Sequence, residues 1–336
     1  MGSLIARRLA GALAVVASVI VVTFLLTRAL PADPAVYFAG IGGTKEAIAA
    51  MRAKLGLNHG LLTQFLVYVR ALAVGDLGHS LTTGHPVIDD LARRLPASLE
   101  LTISALALAS VIGLPAGIAA AVWPNSWFDH LVRVMATIGV AVPTFFTGLM
   151  LLHVFYFDLG WAPAPLGRLS TFAVPPPRVT GFYLIDSLFA RDLPTFAAAL
   201  SQVALPALTL ALFAVAPLAR ATRAAMLEVL ASDFVRTARA IPLGRAKILF
   251  VYAFGNALLP VLTTIGMVFS FLLGANVLVE KVFGWPGIGS YAIDALIAAD
   301  YAPVQGFVLL MAILYILLNL VIDIAVIVAD PRTVGA

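Results

Sequence analysis

Six apolar stretches, each long enough to cross a bilayer, dominate this chain and limit what it can fold into. A helix needs about 20 predominantly apolar residues to traverse the hydrocarbon core. Residues 9–27, 99–123, 134–155, 200–219, 251–278 and 306–328 meet that requirement. In hydrocarbon every backbone N–H and C=O must be satisfied within the structure, which favours helices for such runs. The predicted fold is therefore all-α and polytopic, with six transmembrane helices. Composition agrees: of 336 residues, 62% are hydrophobic and 11% charged, whereas a soluble domain carries about 25% charged residues. A soluble enzyme, a nucleic-acid binder and a disordered chain all fit poorly. The net charge of +4 is too small and too dispersed for a nucleic-acid footprint, and the chain has no cysteine, hence no thiolate metal site and no disulfide framework.

Charge sets an expected orientation. With the N-terminus cytoplasmic, the inside segments are 1–8, 124–133, 220–250 and 329–336, and they hold ten basic and four acidic residues. The outside segments, 28–98, 156–199 and 279–305, hold eleven of each over more than twice the length. Lys/Arg density is much higher inside, as the positive-inside rule requires. Arg7 and Arg8 before the first apolar run resemble a signal-peptide start, but Ala29-Leu30-Pro31 offers no clean small-x-small cleavage site; a retained first span is expected. The chain divides accordingly into residues 1–30 with the first span, an extracytoplasmic segment 31–98, a five-helix core 99–328, and a cytoplasmic tail 329–336. Within 31–98, Thr44–Leu57 places Ile48, Met51 and Leu55 at helical spacing, and Leu61–Val74 is a second apolar helix broken by Gly75-Asp-Leu-Gly78. These form a small external helical layer, or a stretch resting on the lipid interface. Segment 156–199, with Pro163, Pro165 and Pro175-Pro-Pro177, reads as an irregular external loop. Pro206 and Pro217 mark span 200–219 as a kinked packing helix or, on the alternative reading, a bend at a gate. Trp123, Trp127, Trp161 and Trp285 fall at expected interfaces, where indole rings anchor.

Segment 220–250 is the most informative. Leu227, Leu230, Phe234, Ala238 and Ile241 recur at spacings of three and four, making one apolar stripe with Arg236 and Arg239 off it. Ser232 and Asp233 suit a helix start, Pro242 ends or bends the helix, and Gly244 frees the chain to turn. Two readings follow from spacing alone: a basic loop at the headgroups, or a short helix presented to a cytoplasmic partner.

The stretch Asp233-Phe-Val-Arg-Thr-Ala-Arg-Ala240 resembles the cytoplasmic coupling motif of ABC importer permeases, most closely the dipeptide/oligopeptide/nickel branch of DppB/OppB-like subunits. Asn256-Ala-Leu-Leu-Pro260 follows at that branch's spacing. Arg28-Ala-Leu-Pro-Ala-Asp-Pro34, Gly75-Asp-Leu-Gly-His-Ser80, Arg94-Leu-Pro-Ala-Ser-Leu-Glu100, Val279–Gly289, Asp300-Tyr-Ala-Pro-Val-Gln-Gly306 and Asp330-Pro-Arg332 resemble further family segments, in order along nearly the whole chain. One departure is Pro242, where the family's turn usually has glycine; Gly244 comes two residues later. The resemblance implies a type I ABC importer permease fold in a bacterial inner membrane, with both termini cytoplasmic. It implies import of short peptides, or of nickel complexes or glutathione. The implied partners are a homologous DppC/OppC-like second permease, two P-loop ATPases holding ATP and Mg2+, and an extracytoplasmic binding protein. By that resemblance Asp233, Phe234, Arg236, Thr237, Ala238, Arg239, Pro242 and Gly244 would couple to the ATPases. This chain has no Gly-x-x-x-x-Gly-Lys-Ser/Thr loop, so it is expected to bind no cofactor and not to be an enzyme.

Asn319 and Asp323, four residues apart in the last span, and Asn276 and Glu280, at the outer end of the fifth, are the polar candidates for a translocation pathway or gate. The alternatives are an interhelical hydrogen bond for the first pair, and a helix cap or a Lys281 pairing for the second. The five histidines are scattered and make no metal cluster. An ion-coupled secondary transporter is the competing class; it would show inverted repeats or paired broken helices, and neither is evident.

Overall fold

The computed structural model describes residues 2–29, 33–39 and 43–329; Leu30 to Ala32, inside the Arg28–Pro34 stretch, and the tail from Asp330 onward lie outside the described residues. All regular structure among the described residues is helical apart from one isolated antiparallel bridge, His79 to Pro86. The helices are α1 (Gly2–Ala29), α2 (Pro34–Ala39), α3 (Lys45–Lys54), α4 (Leu61–Ala73), α5 (Val87–Val122), α6 (Trp127–Ala141), α7 (Thr144–Leu152), α8 (Tyr183–Phe189), α9 (Leu193–Leu230), α10 (Asp233–Ala240), α11 (Arg245–Lys247), α12 (Phe254–Val282), α13 (Ile288–Ile297) and α14 (Tyr301–Ala329). A π-helical turn, Ile248–Ala253, joins α11 to α12.

Among the described residues five helices are long and apolar enough to cross a membrane: Gly11–Ala29, Val87–Val122, Leu193–Leu230, Arg245–Val282 and Tyr301–Ile324. The expected third span, 134–155, is different. It is a pair, Trp127–Gly139 and Thr144–Asp158, bent by 100° at the break. Pro143 supplies the cause. It has no N–H to donate and forces the preceding residue out of the helical region, and Val142 is extended at φ −96°, ψ 129°. The chain is thus an all-α, multi-span membrane protein whose described residues hold five helices long enough to span, or six if the bent pair is counted as one, consistent with the type I permease fold.

Other boundaries shift for local reasons. The span expected at 200–219 is a 38-residue helix that runs through both Pro206 and Pro217. It starts where the Asp192 carboxylate accepts from Thr195 N–H at 3.0 Å, capping orphan donors of the first turn. α5 begins well before residue 99, so Arg94–Glu100 is helical. The helix expected at Thr44–Leu57 is the ten-residue α3, with Thr44 Oγ1 accepting from Ala47 N–H. α4 stops before Gly75, whose φ of +80° suits glycine.

The described structure divides into two compact units, Met1–Pro96 with Pro286–Leu317, and Ala97–Trp285 with Leu318–Ala336. In the first, Val87 and Leu91 of α5 pack on Ile288 and Tyr291 of α13, with Phe307, Leu310 and Met311 of α14 around them. Polar bonds tie its loops to this core. Ser80 Oγ and Thr82 N–H donate to Asp300, and Thr83 Oγ1 and Tyr291 OH donate to Asp90.

In the second unit α9 runs against α6, α7, α8 and α12. Its core is rich in small residues: Ala105 and Ala109 of α5 share one buried cluster with Ala207, Ala211 and Ala214 of α9. Between helices in lipid there is little hydrophobic driving force, so close backbone approach and dispersion supply the stability. Gly117 shows how close: a Cβ there would lie 2.6 Å from the Ala219 carbonyl oxygen of α9.

Candidate functional site

The segment from the end of α9 to α12 was the main functional candidate, and its local geometry follows from a few residues. α9 ends at Leu230, and α10 opens at Asp233 after an extended Ser232 (φ −71°, ψ 152°). Ser232 stands at the cap position, yet its hydroxyl donates back to the Val229 carbonyl instead of capping α10. Asp233 in the first turn complements the helix dipole. The expected continuous stripe is therefore cut at 231–232, and the buried face is not the one its spacing selected. Val235 and Ala238 are buried against Ile248, with Val229, Leu230 and Leu243 around them. Phe234 and Ile241 are exposed. The break resets the helical phase, so the spacing through residues 227–241 does not mark one continuous face.

The opposite face of α10 carries Asp233, Phe234, Arg236, Thr237 and Arg239, all exposed. Arg236 pairs with Asp233 at 3.2 Å, and Thr237 Oγ1 donates to the Asp233 carbonyl at 3.0 Å. Both contacts are internal to the helix and exposed, so they contribute little to stability. Ile241 is extended (φ −101°, ψ 158°), as a residue before proline must be. Leu243 N–H then bonds the Ile241 carbonyl at 2.7 Å, closing a three-residue turn on Pro242. So Pro242 itself makes the turn. Gly244 does not use glycine's freedom: its φ is −65°, and a Cβ there would meet nothing within 4 Å. Val122, Leu230, Arg239, Leu243, Arg245 and Ile248 line a groove beside this turn.

Asn276 and Glu280, the candidates on α12, are each 1% exposed. Asn276 Nδ2 donates to the Ser98 carbonyl (3.1 Å), Thr102 Oγ1 (3.3 Å) and Glu280 Oε1 (3.0 Å). Ser98 Oγ also donates to Glu280 Oε1. These bonds tie α12 to α5 across 174 to 182 residues of sequence. Beside them Trp285 is 1% exposed and donates from Nε1 to the Ala97 carbonyl at 2.9 Å. It is a buried pin, not the interface anchor expected, whereas Trp123, Trp127 and Trp161 are exposed as anchors would be. Asn319 and Asp323 lie one turn apart on α14, both half-buried.

Three polar arrangements were missed. Asp129 at the start of α6 takes a two-pronged bond from Arg223 of α9, at 2.6 and 2.7 Å. Glu100 of α5 accepts from Arg168 Nε and Nη2 at 3.1 and 2.6 Å, and from Leu184 N–H at 2.8 Å. Asp186, 1% exposed, accepts from the N–H groups of Val179, Thr180 and Gly181 and from Thr180 Oγ1. An isolated acid in an otherwise apolar run, as at Glu100, was the one available signal that a partner was needed.

Burial pushes the Asp186 carboxyl up, but its four hydrogen bonds outweigh that and hold it below the usual carboxylate value. A group whose folded pKa is depressed contributes stability above its unfolded pKa and loses it as pH falls through the folded one. Asp186→Ala should therefore speed amide exchange at Val179, Thr180 and Gly181 at neutral pH. The difference from the parent chain should shrink as pH drops below about 4. Equal exchange in both proteins at neutral pH would show that the carboxylate does not hold this loop.

No group of three or more His, Cys, Asp or Glu side chains suited to a metal ion occurs among the described residues. The chain matches two family models, the binding-protein-dependent transport system inner membrane component over residues 113–335 and its N-terminal membrane component over residues 1–102. It is 43% identical over 330 residues to the probable D,D-dipeptide transport system permease protein DdpB of Escherichia coli K12, covering 98% of this chain and 97% of that one. It is also 43% identical to the di/tripeptide transport system permease protein DppB of Pseudomonas aeruginosa UCBPP-PA14, over 99% of this chain and 98% of the relative. The dipeptide transport system permease protein DppB of E. coli K12 is 38% identical, over 98% of this chain and 97% of the relative. The chain accordingly belongs to the family of inner-membrane permease components of binding-protein-dependent ABC transport systems, and is not itself an ATP-hydrolysing subunit.

Proposed function

We propose that this chain forms half of the translocation pathway of an ATP-driven importer of dipeptides and other short peptides. A homologous second permease supplies the other half, two P-loop ATPases carry ATP and Mg2+, and an extracytoplasmic binding protein delivers cargo. The names of the relatives support the cargo class, since the three compared are all peptide or dipeptide permeases. Lys/Arg density supports an orientation with both termini cytoplasmic and with residues 31–98 and 156–199 outside.

The observation that carries this reading is α10. One side of it is packed by Val235 and Ala238, and the other presents Phe234, Arg236, Thr237 and Arg239 uncovered. A helix held that way passes movement of a docked ATPase into α9 and α12 as rigid displacement, which is the differential contact that coupling requires. Asn276 and Glu280 act as a lock that moves α5 and α12 together, and Asn319 and Asp323 face the pathway. Purification in mild detergent from the native host tests the assembly. Co-purifying ATPases and a second permease, with hydrolysis stimulated by a peptide-loaded binding protein, are expected. A stable particle of this chain alone, active with an ion gradient and no ATP, would point instead to secondary transport.

A further inference from the structure

Helix α4 has two faces with different fates. Its inner face is fixed to the end of α1. Phe65 and Tyr68 pack on Phe24 with ring centroids 5.2 and 5.9 Å apart, and Arg28 Nε donates to Gln64 Oε1 at 2.7 Å. Its outer face is uncovered and mainly apolar: Leu62 is 72% exposed, Leu66 59% and Val67 65%, with Thr63 between them. Spacings of four and five put these three on one side of the helix. At 13 residues α4 is too short to cross a bilayer.

Phe24 and Arg28 belong to the membrane-crossing window Gly11–Ala29. Their contacts therefore set the level of α4 beside the last two turns of that span. On α1 itself, Val22, Leu25 and Leu26 of the same turns are exposed, and lipid is the solvent for such residues on a spanning helix. We infer that α4 lies in the plane of the membrane interface, with Leu62, Leu66 and Val67 in the acyl-chain boundary, continuing the lipid-facing surface of α1. An in-plane helix buries its apolar face to roughly 5–10 Å, and Phe24 stands five residues before the end of the Gly11–Ala29 window, about 7.5 Å along the helix axis at about 1.5 Å per residue. Arg70 falls on the same outer face, and its long stem lets the guanidinium reach the headgroups. The neighbouring α3, with Lys45, Glu46, Arg52 and Lys54 exposed, has no such apolar face and belongs in water.

The absence of cysteine makes the test direct. Single-cysteine variants Leu66→Cys and Val67→Cys take a nitroxide label in the full chain, reconstituted with its co-purifying subunits in nanodiscs of phosphatidylethanolamine and phosphatidylglycerol. The assembly with the unsubstituted chain supplies the background. Leu26→Cys and Lys54→Cys are the lipid and water references. Collision with oxygen is expected to exceed collision with a nickel chelate several-fold at positions 66 and 67, as at 26, and to reverse at 54. A nickel-dominated signal like that of position 54 would overturn the inference in favour of an exposed surface. Low accessibility to both reagents, with or without added binding protein, would overturn it in favour of a protein partner.

Discussion

Arg168→Ala is expected to destabilise the membrane domain by about 3–5 kcal/mol, the usual cost of leaving one charge of a buried pair without its partner. Arg168 and Glu100 are 8% and 4% exposed, so solvent does little to screen them. The guanidinium also donates to the Gly181 carbonyl at 2.8 Å and stacks 3.5 Å over the Tyr183 ring. Its removal leaves the Glu100 carboxylate with the Leu184 N–H alone among these donors and frees the turn that Asp186 organises. The double change Glu100→Gln with Arg168→Met removes both charges at similar volume and should recover most of the loss. Thermal unfolding of the parent, Glu100→Gln, Arg168→Met and the double variant in one detergent gives the coupling energy. A single Arg168→Ala protein within about 0.5 kcal/mol of the parent would mean the pair is effectively solvated.

Val235→Asp is expected to cut ATP-driven uptake about 100-fold while the protein still inserts and stays monodisperse. An eight-residue helix is not stable by itself in water. α10 exists because Val235 and Ala238 dock on Ile248. A carboxylate at a fully buried site must either lose its hydration or pull the helix off, and detachment is the cheaper course. The cluster around Val235 is separate from the main core of α5, α9 and α12, so the fold should survive. About 3 kcal/mol of lost docking corresponds to the stated factor, at tenfold per 1.4 kcal/mol. Gly244→Ala is the contrasting control: with φ at −65° and open space around it, uptake should be unchanged. Uptake into proteoliposomes containing the assembled importer reads both. Undiminished uptake by the Val235→Asp protein would remove α10 from the coupling path.

Membership of a polytopic all-α class followed from the sequence because span-forming length and apolarity are properties of contiguous residues. The start of α10 at Asp233 and the stop of α4 before Gly75 were legible for the same reason: the extended backbone of a serine ahead of the helix and a glycine at positive φ act within a few residues. The ordered family motifs added the permease reading, which the 43% relatives support.

The face of α10 that is buried, the bend at Val142–Pro143 and the polar ties were not legible. Pro143 was visible in the sequence, yet Pro206 and Pro217 lie inside α9 without ending it. Whether a proline breaks a span depends on the neighbours that satisfy the freed carbonyls. Glu100 finds Arg168 across 68 residues, Arg223 finds Asp129 across 94, and Asn276 finds Ser98 across 178. The sequence by itself determined which segments become helices and enter the membrane, since that depends on local length, apolarity and capping. Only the tertiary structure decided which helices are neighbours, which is what turns isolated polar residues into pairs and one side of α10 into an open face.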